Sequence, residues 1–169
     1  MVKLQKLISG KVEEFLNASI KKEMESATIY YGMASWLNSK GYNNGYKLFI
    51  KYGDEENKHA HLLMDYLDNR NCTAVIPAIN KPIQEFSTCM ELIEKAYQHE
   101  VDIEDNYKQL SVVSMRESDF TTFNLAHDFI KEQIEEVEKL LEFINIININ
   151  ENNPNLPAII EEAFKDALG

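Results

Sequence analysis

With 169 residues, 44% hydrophobic and 27% charged, the chain has the proportions of one ordinary water-soluble domain, large enough to bury a core without staples. A net charge of −11 argues against non-specific nucleic-acid binding, which needs clustered lysine and arginine, and suits a molecule that attracts cations. No run reaches the length of a membrane span and the charged opening MVKLQKLISGKVEEF carries no secretory signal, so a cytoplasmic protein with no membrane partner is expected.

Apolar residues recur at helical spacing from about Lys11 to Asn38, through Leu16, Ile20, Ala27, Tyr30, Ala34 and Leu37, and stop at Gly41. A second helix begins near Gly45 and carries Phe49, Tyr52, Leu63 and Leu67 to about Asn71, which predicts an antiparallel hairpin. The stretch from Asn71 to Ser87, with Pro77 and Pro82, is too long for a tight turn. It is expected to cross over along the bundle and make the second and third helices parallel. Thr88 with Glu91 forms a capping-box signature for a third helix reaching about Glu117. Asp119 suits the N-cap of a fourth, which runs to about Asn148. An Asn-rich break precedes a short fifth helix over about 157–168. The expected fold is all-α: a four-helix bundle over about 11–148 in one domain spanning 1–169, with a long crossover between helices 2 and 3. Gly32 and Gly53 sit inside helices, each costing about 1 kcal/mol relative to alanine, and the sequence offers no reason for either.

Four glutamates fall where these helices are most apolar. Residues seven apart on an α-helix differ by only about 20° in direction, so they report which face a residue occupies. Glu23 has Leu16 and Tyr30 at those positions, Glu56 has Phe49 and Leu63, Glu100 has Ile93 and Tyr107, and Glu136 has Phe129 and Phe143. His59 follows Glu56 by three residues and Gln133 precedes Glu136 by three. A glutamate from each of two helices with an i, i+3 pair from each of the others is the ligand pattern of a two-metal site in a four-helix bundle. Buried carboxylates that converge must protonate or be neutralised, and a pair of divalent cations does the latter. Oxygen ligands with one imidazole suit iron, with zinc and manganese as competitors.

In the segments MESATIYYGMASW, DEENKHAHLLMDYL, AYQHE and TFNLAHDFIKEQIEE, in that order and in common register from about Lys11 to Leu141, the chain resembles the non-haem ferritins of bacteria and archaea. That resemblance implies iron storage with ferroxidase activity. Glu23, Glu56 and His59 would hold the first iron, and Glu56 would bridge to a second held by Glu100 and Glu136. Gln133 would order a water or the oxidant near the second iron, and Tyr30 would stand beside the centre, which makes Tyr30 and Gln133 the implied catalytic groups. A third iron would use Glu55, Glu132 and Glu135 and share Glu136. By periodicity those three lie at the border of the apolar arc, where a solvated acidic face is the plain alternative. The resemblance further implies Fe(II) and O2 or H2O2 as partners and a homo-oligomeric cage of twenty-four subunits.

Two departures from the family pattern stand out: Asp128 replaces an aromatic, and Val137 replaces a glutamate after the Glu135–Glu136 pair. Glu104, one turn after Glu100, is either a further ligand or a partner for Lys108. Rubrerythrin-like oxidases usually add a cysteine-ligated iron module, which Cys72 and Cys89 cannot form because they make no Cys-x-x-Cys pair. Bacterioferritins repeat Glu-x-x-His on the fourth helix, where this chain has Gln133-x-x-Glu136. They also place an axial methionine after the bridging glutamate, and here that residue is Asn57, so no haem is expected.

Overall fold

The computed structural model describes residues 5–169, so the first four residues of the expected domain, with the start of the segment read for a secretory signal, lie outside the described residues. Five helices follow one another: α1 (Gly10–Ser39), α2 (Asn43–Asn69), α3 (Cys89–Arg116), α4 (Phe120–Ile149) and α5 (Leu156–Asp166). There is no strand among the described residues. Among the described residues no helix is long and apolar enough to cross a membrane.

Three helices start on side-chain caps. Ser9 accepts from Val12 N at 3.3 Å, Thr88 from Glu91 N at 3.1 Å and Asp119 from Thr122 N at 3.0 Å, each satisfying one of the free amides of a first turn. The box at α3 closes one residue earlier than expected, because Glu91 Oε2 accepts from Ser87 N at 2.7 Å rather than from the cap residue itself. No side chain of its own caps α2. Its start is covered instead by α5, whose Glu161 carboxylate accepts from Asn44 N at 2.6 Å. An anion at a helix N-terminus is favoured by both the free amides and the dipole.

The crossover lies along α1. Val75 N donates to Asn17 Oδ1 at 2.7 Å near its beginning, and Pro82 and Gln84 pack on Gly32 near its end. Fifteen residues of helix separate those anchors, about 22 Å at 1.5 Å per residue, so the chain is carried from one end of the bundle towards the other. From there α3 returns until Glu117, just past its C-terminus, meets Lys11 at 3.4 Å. Helices α2 and α3 therefore run parallel, as the length of the connection predicts. A Cβ on Gly32 would stand 3.2 Å from Pro82 Cγ, and one on Gly53 would stand 2.5 Å from Tyr31 Cε1. Both helical glycines thus allow close approach of a neighbouring segment.

Two apolar clusters fill the bundle. One gathers Trp36, Leu48, Phe49, Leu92 and Phe143 with Phe164 of α5, and the other gathers Leu16, Leu63, Leu67, Leu110 and Ala126. Cys89 belongs to the first and Cys72 to the second; both thiols are free. Buried Glu23, Glu56, His59, Glu100 and Gln133 lie among these apolar side chains.

Candidate metal centre

Each of the four long helices contributes to this group because its ligand replaces one apolar residue in the buried stripe. On α1 and α3, which run antiparallel, a ladder of side-chain hydrogen bonds sets the level of the ligands. Asn106 donates to Ser19 Oγ at 2.9 Å, Tyr107 donates to Glu23 Oε1, His99 Nε2 meets Ser26 Oγ at 2.7 Å and Tyr30 donates to Glu100 Oε1. Glu23 and Tyr30 are seven residues apart, as are Glu100 and Tyr107, so each helix supplies the phenol that binds the other helix's carboxylate.

Two ligand groups result. His59 Nδ1 stands 3.3 Å from Glu56 Oε2 and 3.6 Å from Glu23 Oε2, and the three side chains bring one ligand atom each within 4.8 Å of one another. The same holds for Glu56, Glu100 and Glu136. Glu56 belongs to both groups, where a bridging carboxylate would stand. Gln133 Nε2 donates to Glu100 Oε2, so both oxygens of Glu100 are engaged. By contrast Glu23 Oε2 and Glu136 Oε2 are buried with no hydrogen-bond partner. A divalent cation in each group would satisfy these orphaned oxygens, so the donor set fits a metal pair.

The protonation of the group follows from burial and crowding. Burial pushes Glu56 well above the carboxylate range, with the hydrogen bond to His59 offsetting part of it and the charges of Glu23 and Glu136 adding to it. Glu100 is also raised well above that range, by burial and then by Glu136 and Glu23. Glu136 is raised to about 7, chiefly by burial. At Glu23 burial acts in the same direction but is outweighed by the facing His59 and Glu56 groups and by the hydrogen bond from Tyr107, and the pKa falls. Burial lowers His59, yet the facing carboxylates of Glu23 and Glu56 carry it up to about 11. Metal binding at this centre would accordingly expel protons, since carboxylate and imidazole ligands bind in their deprotonated forms.

Among the positions singled out in the sequence, Glu23, Glu56, His59, Glu100, Gln133 and Tyr30 meet in one buried group, which half-buried Glu136 joins with a buried Oε2. The third set is not drawn together in the same way. Glu132 and Glu135 are exposed and Glu55 is half-buried. Of the three, Glu132 reaches the centre, with Oε1 3.2 Å from His59 Nε2, the ring nitrogen that faces away from the ligand group. A carboxylate there fixes the imidazole's orientation. Glu104 pairs with Lys108 at 2.9 Å, the second of its two expected roles. Tyr107 was read from the sequence only as an apolar neighbour of Glu100. Its signal was the repeat of the Glu-x6-Tyr spacing that also joins Glu23 to Tyr30.

Residues 13–149 match the model of the ferritin-like domain. The chain belongs to the ferritin family. A probable bacterial non-heme ferritin-like protein of Haemophilus influenzae is 32% identical over 130 residues, covering 77% of this chain and 79% of that protein. The bacterial non-heme ferritin of Campylobacter jejuni is 29% identical over 130 residues, 77% of this chain and 78% of its own length. Among solved structures, an open pore ferritin of the hyperthermophilic archaeon Archaeoglobus fulgidus superposes with a TM-score of 0.90 at 26% identity, over 95% of this chain and 98% of that one. The likeness thus extends beyond the four ligand segments, over residues 13–149 in sequence and over 95% of the chain in structure.

Proposed function

We propose that this ferritin stores iron: it oxidises Fe(II) at the buried centre and deposits the ferric product inside a hollow shell of twenty-four copies. The observation that carries the reading is the sharing of Glu56 by two ligand groups, each with three converging donors. Relatives of the chain bear the name bacterial non-heme ferritin, which supports the same role. In this reading the whole chain, 1–169, works as one ferritin-like domain in the cytoplasm.

Two substrate Fe(II) ions occupy the centre, the first on Glu23, Glu56 and His59, the second on Glu56, Glu100 and Glu136, at the typical two-metal spacing of about 3.5–4 Å. The anionic ligands gain more from Fe(III) than from Fe(II), because Coulomb attraction grows with the cation's charge, and this lowers the potential and favours oxidation. O2 or H2O2 takes the electrons. A small cavity lined by Tyr30, Tyr52, Glu56, Glu136 and Leu140 adjoins the second position and has room for about one water-sized species. Gln133 and Tyr30 hold Glu100 from two sides and keep it aimed at that position. A third iron would use Glu55, Glu132 and Glu135 and share Glu136. No haem takes part, since Asn57 has an amide, engaged with the Tyr31 hydroxyl at 2.7 Å, where a thioether would be needed.

The shell is supported by apolar side chains that one bundle leaves uncovered. Ile134 and Leu141 on α4 are 53% and 42% exposed, and Val75, Ile76 and Ile83 along the crossover are exposed too. Twenty-four chains of 19.6 kDa give a particle of about 470 kDa. Light scattering should return that mass, and Fe(II) added at two per chain under air should be oxidised in one saturable fast phase. A monomer or dimer at micromolar concentration removes the shell from the proposal. Absence of a saturable fast phase removes the ferroxidase centre.

A further inference from the structure

Tyr107 is not among the metal ligands assigned above. Its side chain is fully buried, its ring stacks on Phe129 at 4.3 Å between centroids and 6° between planes, and Phe129 in turn meets the His59 ring edge-to-face at 5.4 Å. A stacked ring of this kind has little freedom to turn, so its hydroxyl has one direction to point. It donates to Glu23 Oε1. The other oxygen of that carboxylate, Oε2, is the one that faces His59 Nδ1, and it has no hydrogen-bond partner.

We propose that Tyr107 is a positioning residue of the centre: by holding Glu23 Oε1 it turns the unpartnered Oε2 towards the first metal and disfavours chelation, so that Glu23 binds through one oxygen. A carboxylate with both oxygens free would chelate the ion and fill one more coordination position. With the phenol in place, the first metal has three protein donors, from Glu23, Glu56 and His59, and keeps open positions for the oxidant. The two metal positions thus come to differ. Glu100 is held on both oxygens, by Tyr30 and Gln133, and offers a metal only its remaining lone pairs, while Glu23 is held on one oxygen, by Tyr107 alone. The reciprocal pairing of Tyr30 with Glu100 and Tyr107 with Glu23 makes Tyr107 the counterpart on α3 of the tyrosine that the family pattern places on α1. The inference rests on the ferroxidase reading above.

The test is Tyr107→Phe, which keeps the ring and its stacking and removes only the hydroxyl. Co(II) serves as the probe, because its visible bands weaken as coordination number rises. In the assembled protein at two Co(II) per chain, Tyr107→Phe should retain both ions, show weaker visible absorbance per ion than the native protein, and oxidise Fe(II) about tenfold more slowly, the scale of effects seen when a partner of a metal ligand is lost. The same change made on Glu23→Gln should leave the cobalt spectrum of Glu23→Gln unaltered, because an amide has only one oxygen to offer. A native spectrum and native rate in Tyr107→Phe overturn the proposal, as does a further spectral change in the double variant. If the native protein takes up no Co(II) in saturable sites, the ferroxidase reading falls and this inference with it. If it takes up two and Tyr107→Phe changes nothing, the tyrosine alone is dismissed.

Discussion

Glu55 and Glu56 are neighbours on α2, and Glu135 and Glu136 are neighbours on α4, yet one member of each pair enters the buried centre and the other does not. Glu56 is 3% exposed and joins both ligand groups, while Glu55 is only half-buried and joins neither. One residue is about 100° of helix, enough to carry a side chain from the bundle axis to its rim. At the axis, desolvation raises Glu56 and Glu100 and makes a cation the natural partner. At the rim, water screens the charge and a carboxylate needs no partner. Burial, more than the number of carboxylates, thus distinguishes the candidate ligands from their neighbours.

The largest effect expected from this contrast is kinetic. Glu56→Ala removes the ligand common to both groups and should lower the fast phase of Fe(II) oxidation by more than about 100-fold, with the shell still assembled. Glu135→Ala, at the rim, should leave oxidation of the first two irons per chain near the native rate. Stopped-flow absorbance at two and then three irons per chain separates these outcomes. A Glu135→Ala variant identical to the native protein at every loading would return that residue to a solvated face, and a Glu135→Ala variant as slow as Glu56→Ala would erase the distinction between axis and rim.

A smaller effect is thermodynamic and opposite in sign to the loss of activity. Glu100 is raised by burial and by the charges of Glu136 and Glu23, so the unfolded chain ionises it at a lower pH than the folded one does. Above the ordinary carboxylate value of about 4.5 that difference costs stability, and below it both states are protonated and the cost vanishes. Glu100→Gln should therefore raise the melting temperature of the metal-free protein at pH 7, by about 4 °C, and the gain should fade towards pH 4. A lower melting temperature at pH 7 would mean that the bonds from Tyr30 and Gln133 stabilise the carboxylate more than burial disfavours it.

The smallest effect concerns the end of the bundle. Glu161 of α5 stands at the uncapped start of α2, and Glu161→Ala removes both the acceptor and the charge. The expected cost is about 1 kcal/mol, seen as a fall of about 2–4 °C in melting temperature with the metal centre unaffected. An unchanged melting temperature would show that water caps α2 equally well.

Much of this was legible without coordinates. Prolines kept out of the four long helices, capping residues at Thr88 and Asp119, and a helical period sustained through each long segment place four helices to within a few residues of where they stand. The buried glutamates were legible for a related reason: a charged residue centred in an apolar stripe has few bland explanations, and four of them on four helices point to one another. Gly32 and Gly53 were not legible. Their reason is the crossover in one case and the Tyr31 ring in the other, and neither is near in sequence.

By itself, then, the sequence determined which residues lie on the buried faces, because helical period is a local property and each ligand sits within its own stripe. Only the tertiary structure decided what each ligand does. That His59 turns Nδ1 towards the carboxylates and Nε2 towards Glu132, and that Tyr107 takes one oxygen of Glu23, both depend on the relative level of helices far apart in the chain. That level comes from the ladder between α1 and α3 and from the packing above and below it. It is set by contacts across many residues of sequence, which no periodicity within a single helix can encode.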